Sequence, residues 1–176
     1  MPTLNTDQLM ALLTRYVAET GTTLDLLLVG ALALPAYGIP DRATRDVDAE
    51  VVGPLDGLLN FLTAAQVPAD LTKNFSGWSV VAMPPGYRDR ATVLLNRPDL
   101  RVSVLAPIDF VLAKLRRGTD VDLEDALLVA QRHRITADDL RITAQAALAA
   151  SPQDSALFLF RKTVDLFCQS LPPATP

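Results

Sequence analysis

Residues 24–29 read Leu-Asp-Leu-Leu-Leu-Val and stop at Gly30. An apolar run this short, with almost no polar face to offer water, reads as a strand buried on both sides. Such a strand needs neighbours beside it and layers above and below, which directs the chain toward an α/β arrangement.

The flanking segments supply those layers. Thr6 is expected to cap a helix over "DQLMALLTRYVAET", with Leu9, Leu12, Leu13, Tyr16 and Val17 on one stripe and Gly21 closing it. After Gly30, "ALALPAYG" reads as a helix of about two turns that Pro35 keeps short. "DVDAEVV" alternates polar and apolar, which predicts a strand with Asp46, Asp48 and Glu50 on one face. Gly53-Pro54 ends it, and "PLDGLLNFLTAAQ" follows as a helix with proline at or near its first position. "WSVVAM", "ATVLLN" and "LRVSVLA" read as three further strands, the first two separated by a turn at "PPG". From Pro107 the pattern is helical, with starts at Pro107, ahead of "DLEDALLVAQRHR", at Thr136 and at Ser151-Pro152. The expected fold is therefore α/β (α+β): a small mixed sheet flanked by helices, with a C-terminal helical extension. Residues 1–106 form the α/β core with its N-terminal packing helix, and 107–176 the helical part of the same unit.

Composition narrows the chemistry. The hydrophobic content of 49% suits a sizeable core, no apolar run reaches the ~20 residues that would span a bilayer, and the opening "MPTLNTDQLM" lacks a charged region followed by an apolar one. A cytoplasmic protein that does not engage a membrane is the expectation. Cys168 and His133 are single, which removes thiolate clusters, His-rich metal sites and an internal disulfide, and makes a His-based triad a poor candidate. Carboxylates, hydroxyls, Lys and Arg must carry any reaction. The net charge of −4 argues against a generic nucleic-acid coat. Residues 88–117 nonetheless hold seven basic side chains against three acidic ones, which leaves room for a local anionic ligand.

If strand, helix and strand assemble in this order, the Gly30 turn presents backbone N–H groups where phosphate oxygens bind. Asp46 and Asp48, about 7 Å apart along one face, can converge on a hard cation that keeps some waters and is completed by substrate phosphates, as Mg2+ prefers. Cation and anion sites facing each other suit nucleotidyl transfer.

The segment "LLLVGALALPAYGIPDRATRDVDAEV" resembles the signature of the polymerase-β-type nucleotidyltransferase superfamily, a glycine-led helix followed by an Asp-x-Asp strand. "MPPGYRDRATVL", "VLAPIDFVLAKLRRG" and "DVDLEDALLVAQRH" are similar to bacterial nucleotidyltransferase-like proteins related to the AbiEii toxins. The resemblance covers residues 24–135 and implies roles residue by residue. Gly30 and Ala31 would form the phosphate turn, with Thr44 and Arg45 ahead of the metal ligands Asp46 and Asp48, which are also the catalytic pair. Lys114 would contact the triphosphate or nucleotide, and Asp122 and Asp125 would lie on a closing acidic helix. Tyr87, beside Arg88 and Arg90, is a candidate substrate contact. The implied cofactor is Mg2+ or Mn2+, the substrate a nucleoside triphosphate, the acceptor a hydroxyl on RNA or protein. A toxin-antitoxin or defence setting with a cognate partner also follows from the resemblance.

The chain departs from the pattern at three places, one of them Thr119 and Val121 where basic residues often precede the Asp-x-x-Asp helix. Ala31 supplies no hydroxyl, and the strand that should carry a third carboxylate offers Arg101 and Ser103, with Asp99 at its edge. A nucleotidyltransferase fold kept as a nucleotide-binding or protein-interaction module is the alternative, and an antitoxin-like structural partner a third reading. Solvated ion pairing of Asp46 and Asp48 with Arg42 and Arg45, or helix-dipole placement of Asp122, Asp125 and Lys114, would explain the same residues without chemistry.

Overall fold

The apolar run becomes the central strand β1 (Leu24–Leu28) of a five-stranded sheet in the order β3-β2-β1-β5-β4. The computed structural model describes residues 4–39, 44 and 46–172. They fall into two units, one of Met1–Gly77 with Ala91–Val104, the other of Trp78–Arg90 with Leu105–Pro176.

The first unit holds the sheet. β2 (Val47–Val52) runs antiparallel to β1, and β3 (Ala69–Thr72) runs parallel to β2. β5 (Leu100–Val104) lies parallel to β1, and β4 (Thr92–Asn96) pairs antiparallel with β5 through an irregularity between Val93 and Leu95. Leu26, Leu28, Val47, Ala49, Val51, Val102 and Val104 are buried, as are Leu9 and Leu13 of α1 (Thr6–Thr20) and Leu58 and Leu62 of α2 (Leu55–Ala64). This apolar layer is the core on which the mixed sheet rests.

The cap of α1 is Asn5 rather than Thr6. Asn5 accepts from the Gln8 amide while the Gln8 side chain accepts from the Asn5 amide, so both orphan donors are satisfied. Thr6 instead donates its hydroxyl to the Leu32 carbonyl at 3.0 Å. The segment Ala31–Tyr37 forms a 3-10 helix instead of α-helical turns. Pro35 has no N–H to return to the Ala31 carbonyl, and in seven residues that loss leaves i→i+3 bonding, seen in Ala33 N–H to Gly30 O at 3.0 Å. β3 has no local signature. Its four residues, Ala-Asp-Leu-Thr, gain strand form by lying alongside β2, where Asp48 aligns with Asp70.

The second unit is helical: α3 (Pro107–Arg117), α4 (Asp120–Arg132), α5 (Ala137–Ala150) and α6 (Ala156–Cys168), preceded by an irregular segment. Pro107 opens α3 and Gly118 closes it in the left-handed region at φ 65°; Thr119 caps α4 and Thr136 caps α5. Phe110, Leu112, Leu115, Ala126, Val129 and Leu140 are fully or almost fully buried.

The expected strand "WSVVAM" is not one. Its amides go to hydroxyls, Ala82 N–H to Ser151 Oγ at 2.8 Å and Val81 N–H to Ser79 Oγ at 3.0 Å, while Val81 and Met83 are buried. An apolar run that finds side-chain acceptors has no need of a neighbouring strand. Ser151 ends α5 rather than starting the next helix, because its hydroxyl donates back to the Ala147 carbonyl at 2.8 Å; α6 begins at Ala156. Among the described residues no helix is long and apolar enough to cross a membrane.

Candidate functional site

In the sheet unit, the pairing with β2 extends one step past the end of β1, with Val29 N–H donating to the Asp48 carbonyl at 3.0 Å. That bond brings Gly30 against the Asp48 side chain. A Cβ built on Gly30 would lie 2.5 Å from Asp48 Oδ2, so the carboxylate occupies the space that any other residue would fill. Gly30 also begins the 3-10 helix; the amides of Ala31 and Leu32 precede its first internal bond, made by Ala33. Asp48 is half-buried. Asp46, one residue ahead of β2, is exposed and accepts the Thr44 hydroxyl at 2.7 Å. Gly30, Ala31, Thr44, Asp46 and Asp48 thus belong to one neighbourhood at the end of β1 and the start of β2. Arg45 and Arg42 lie outside the described residues.

Glu50 follows Asp48 on the same face but is buried at 3% exposure. It aligns with Leu27, which aligns with Ser103. Ser103 is buried and donates to the Leu26 carbonyl at 3.3 Å.

Arg101 and Asp99 are not brought to Asp48. Arg101 aligns with Asp25 and, across β1, with Val52, four residues along β2 from Asp48 or about 13 Å. It pairs with Asp25 at 3.4 Å. Asp99 lies beyond the start of β5 and accepts two bonds from Arg97, at 3.1 and 3.0 Å. Among the described residues no three His, Cys, Asp or Glu side chains gather as metal ligands would.

In the helical unit, Lys114 from the last turn of α3 is 5% exposed and sits between two carboxylates of α4, 3.1 Å from Asp122 Oδ1 and 3.0 Å from Asp125 Oδ2. Asp122 also accepts from Arg117 Nε and Nη2 at 2.7 and 2.8 Å and from the Thr119 hydroxyl at 2.6 Å. Burial alone would raise the Asp122 carboxyl. The hydrogen bonds from Arg117 and Thr119 and the Lys114 charge together outweigh it and hold the group well below the usual carboxylate range. Asp122 and Asp125 are therefore not solvated first-turn acids but the anionic half of a buried ion cluster.

Tyr87 is half-buried on the turn of residues 84–90, with the Arg88 guanidinium over its ring at 5.4 Å from the centroid. The residues that sequence reasoning left without a role are Arg90, Asp109, Arg117 and Thr119. Thr119 is legible as the cap three residues ahead of Asp122. Arg90 and Asp109, a bidentate pair 19 residues apart, leave no local trace.

A mixed sheet whose central strand ends in a glycine pressed on an Asp-x-Asp carboxylate, together with helices that bury a lysine between aspartates, is consistent with a nucleotidyltransferase-like fold. The chain belongs to the family described as "Nucleotidyltransferase of unknown function (DUF6036)", whose model matches residues 6–159. No curated protein and no solved structure matches it.

Proposed function

We propose that this protein binds a nucleoside triphosphate with Mg2+ or Mn2+ and transfers its nucleotidyl group to a hydroxyl of RNA or protein. The observation that carries the reading is the contact of Gly30 with Asp48. A side-chain-free residue next to a half-buried carboxylate brings backbone amides and an anionic ligand set together, and that pairing serves a metal-bound phosphate.

The donor set fits the ion. Asp46 and Asp48 are hard oxygen ligands two residues apart, and two carboxylates with waters and phosphate oxygens satisfy Mg2+ without a protein cage. Asp46 and Asp48 would hold the ion, which would supply neutralisation of triphosphate charge; transfer would form the bond from the acceptor oxygen to the α-phosphorus, break the bond to pyrophosphate and release the hydroxyl proton to water. The Thr44 hydroxyl orients Asp46, and the Val29–Asp48 backbone bond fixes Asp48. In the helical unit, Lys114 is a cation held in one orientation by Asp122 and Asp125. The similarity to AbiEii-related proteins supports a cognate toxin or antitoxin as partner.

A second reading is favoured by the state of β5. Its candidate third-carboxylate positions are occupied by Ser103, bonded to the sheet backbone, and by Arg101 and Asp99 in ion pairs of their own. Two-metal transfer lacks a ligand there, which supports a module that binds nucleotide without transferring it. The test is incubation with each α-labelled nucleoside triphosphate and Mg2+ or Mn2+, with total RNA and cell protein as acceptors. Label on either acceptor establishes transfer. Metal-dependent binding without label establishes the second reading, and neither result removes both.

A further inference from the structure

We propose that the turn of residues 84–90 is a stacking platform for a nucleobase that carries phosphate, formed by Tyr87 and Arg88 and held in shape by Arg90 and Asp109. The inference rests on the nucleotide chemistry proposed above, and every residue it uses lies in the helical unit.

The turn is tied at many points. Tyr87 N–H donates to Pro84 O at 3.2 Å, and the amides of Asp89 and Arg90 both donate to Gly86 O at 3.1 and 3.2 Å. Gly86 has φ +78°, a left-handed conformation in which a side chain would be strained, and a Cβ there would come within 3.1 Å of Arg90 Nη1. Arg90 then fixes the turn to α3. Its Nη1 donates to Pro85 O at 2.9 Å, and its Nε and Nη2 donate to Asp109 Oδ2 and Oδ1 at 3.0 and 2.9 Å. Asp109 is fully buried, so pulling the turn away would strand a carboxylate in the core. Only a planar fork satisfies both oxygens at once, which makes Arg90 a positioning residue that lysine would replace poorly.

This scaffolding holds out one feature. Tyr87 is half-buried, and the exposed Arg88 lays its guanidinium over the ring at 5.4 Å. A flat cation on an aromatic face extends a π-stack by one layer, and its charge suits phosphate; aromatic rings and guanidinium planes are what unstacked bases settle on. The base can come from a mononucleotide or from single-stranded RNA, and the chemistry is the same.

The test uses the full chain with Mg2+ and three probes: inorganic tripolyphosphate, a nucleoside triphosphate, and a fluorescein-labelled single-stranded RNA of ten nucleotides. Binding is read by calorimetry and fluorescence anisotropy. Tyr87→Ala is expected to weaken the triphosphate or the RNA by about 5- to 100-fold, to leave tripolyphosphate unchanged, and to be rescued by Tyr87→Trp; the ligand that responds identifies the source of the base. Arg88→Ala, at an exposed side chain, carries the same direction. Arg90→Lys should weaken the same ligand less and speed amide exchange at Tyr87 and Asp89. The platform is overturned if Tyr87→Ala and Arg88→Ala bind both base-bearing probes as wild type does, or if wild type binds neither. Failure of wild type to bind tripolyphosphate, with RNA binding still lost in Tyr87→Ala, removes the nucleotidyltransferase reading and leaves the platform standing.

Discussion

Gly30 and Asp48 share a space that holds only one side chain: a Cβ on Gly30 would stand 2.5 Å from Asp48 Oδ2, 2.9 Å from its Cβ and 3.0 Å from its Cγ. The backbone at Gly30 is ordinary, with φ −89°, so the glycine is required for room and not for conformation. Gly30→Ala is expected to push the Asp48 carboxylate aside, costing roughly 1–3 kcal/mol of stability through overpacking, and to weaken metal-dependent triphosphate binding. Calorimetry and urea denaturation measure the two effects. Wild-type binding in a folded Gly30→Ala protein would separate this contact from ligand chemistry.

Asp48 and Glu50 share a face but not a role. Asp48→Asn removes a charge beside the phosphate turn and is expected to weaken Mg2+-dependent nucleotide binding by at least the roughly 10–100-fold that loss of an outer-shell partner costs a metal site. Glu50 is buried, so Glu50→Gln should lower the urea midpoint and leave binding close to wild type. Equal losses of binding in both variants would mean that the two carboxylates act only through their general field.

The Lys114 cluster is expected to govern the stability of the helical unit. Asp122 is fully buried and accepts from Lys114, Arg117 and Thr119, so Asp122→Asn leaves these donors under-compensated and should cost about 3–5 kcal/mol. Urea titration followed by circular dichroism reads the loss, and a change below 1 kcal/mol would show that the cluster is not a tight ion pair.

Acid should act through the same carboxylate. The folded Asp122 group is depressed below its ordinary value of 3.8, so the stability it contributes is complete above about pH 4 and is lost as pH falls through the lower folded value. Unfolding free energy measured from pH 7 down to pH 2.5 is expected to decline steeply only below pH 4. Asp122→Asn should flatten that decline; an unchanged slope would assign acid sensitivity to other groups.

Ser151 ties the irregular segment to the end of α5, accepting from Ala82 N–H and donating to Ala147 O, each at 2.8 Å. Ser151→Ala is expected to cost about 1–3 kcal/mol and to accelerate hydrogen exchange at Ala82 more than at amides inside α6. Unchanged protection of Ala82 would mean that apolar burial of Val81 and Met83 alone holds the segment.

The amino-acid sequence determined whatever rests on neighbours along the chain. The continuous apolar run of β1, the alternation that places Asp48 and Glu50 on one face of β2, and the proline, glycine and threonine boundaries of α3, α4 and α5 are short-range consequences of backbone geometry. They were legible before any contact was known. Parity also made the Asp-x-Asp pair visible, since it needs only the period of a strand. The tertiary structure alone decided where a hydrogen bond or an ion finds its partner across the fold. Ala-Asp-Leu-Thr became β3 because β2 offered an open edge, and "WSVVAM" did not become a strand because Ser151, 69 residues from Ala82, took its amide. Lys114 joined Asp122 and Asp125 in a buried cluster, and Arg90 found Asp109, because a charge that leaves water must meet its opposite within a few ångströms. Periodicity records which face of an element is buried. It does not record which charge waits on the other side.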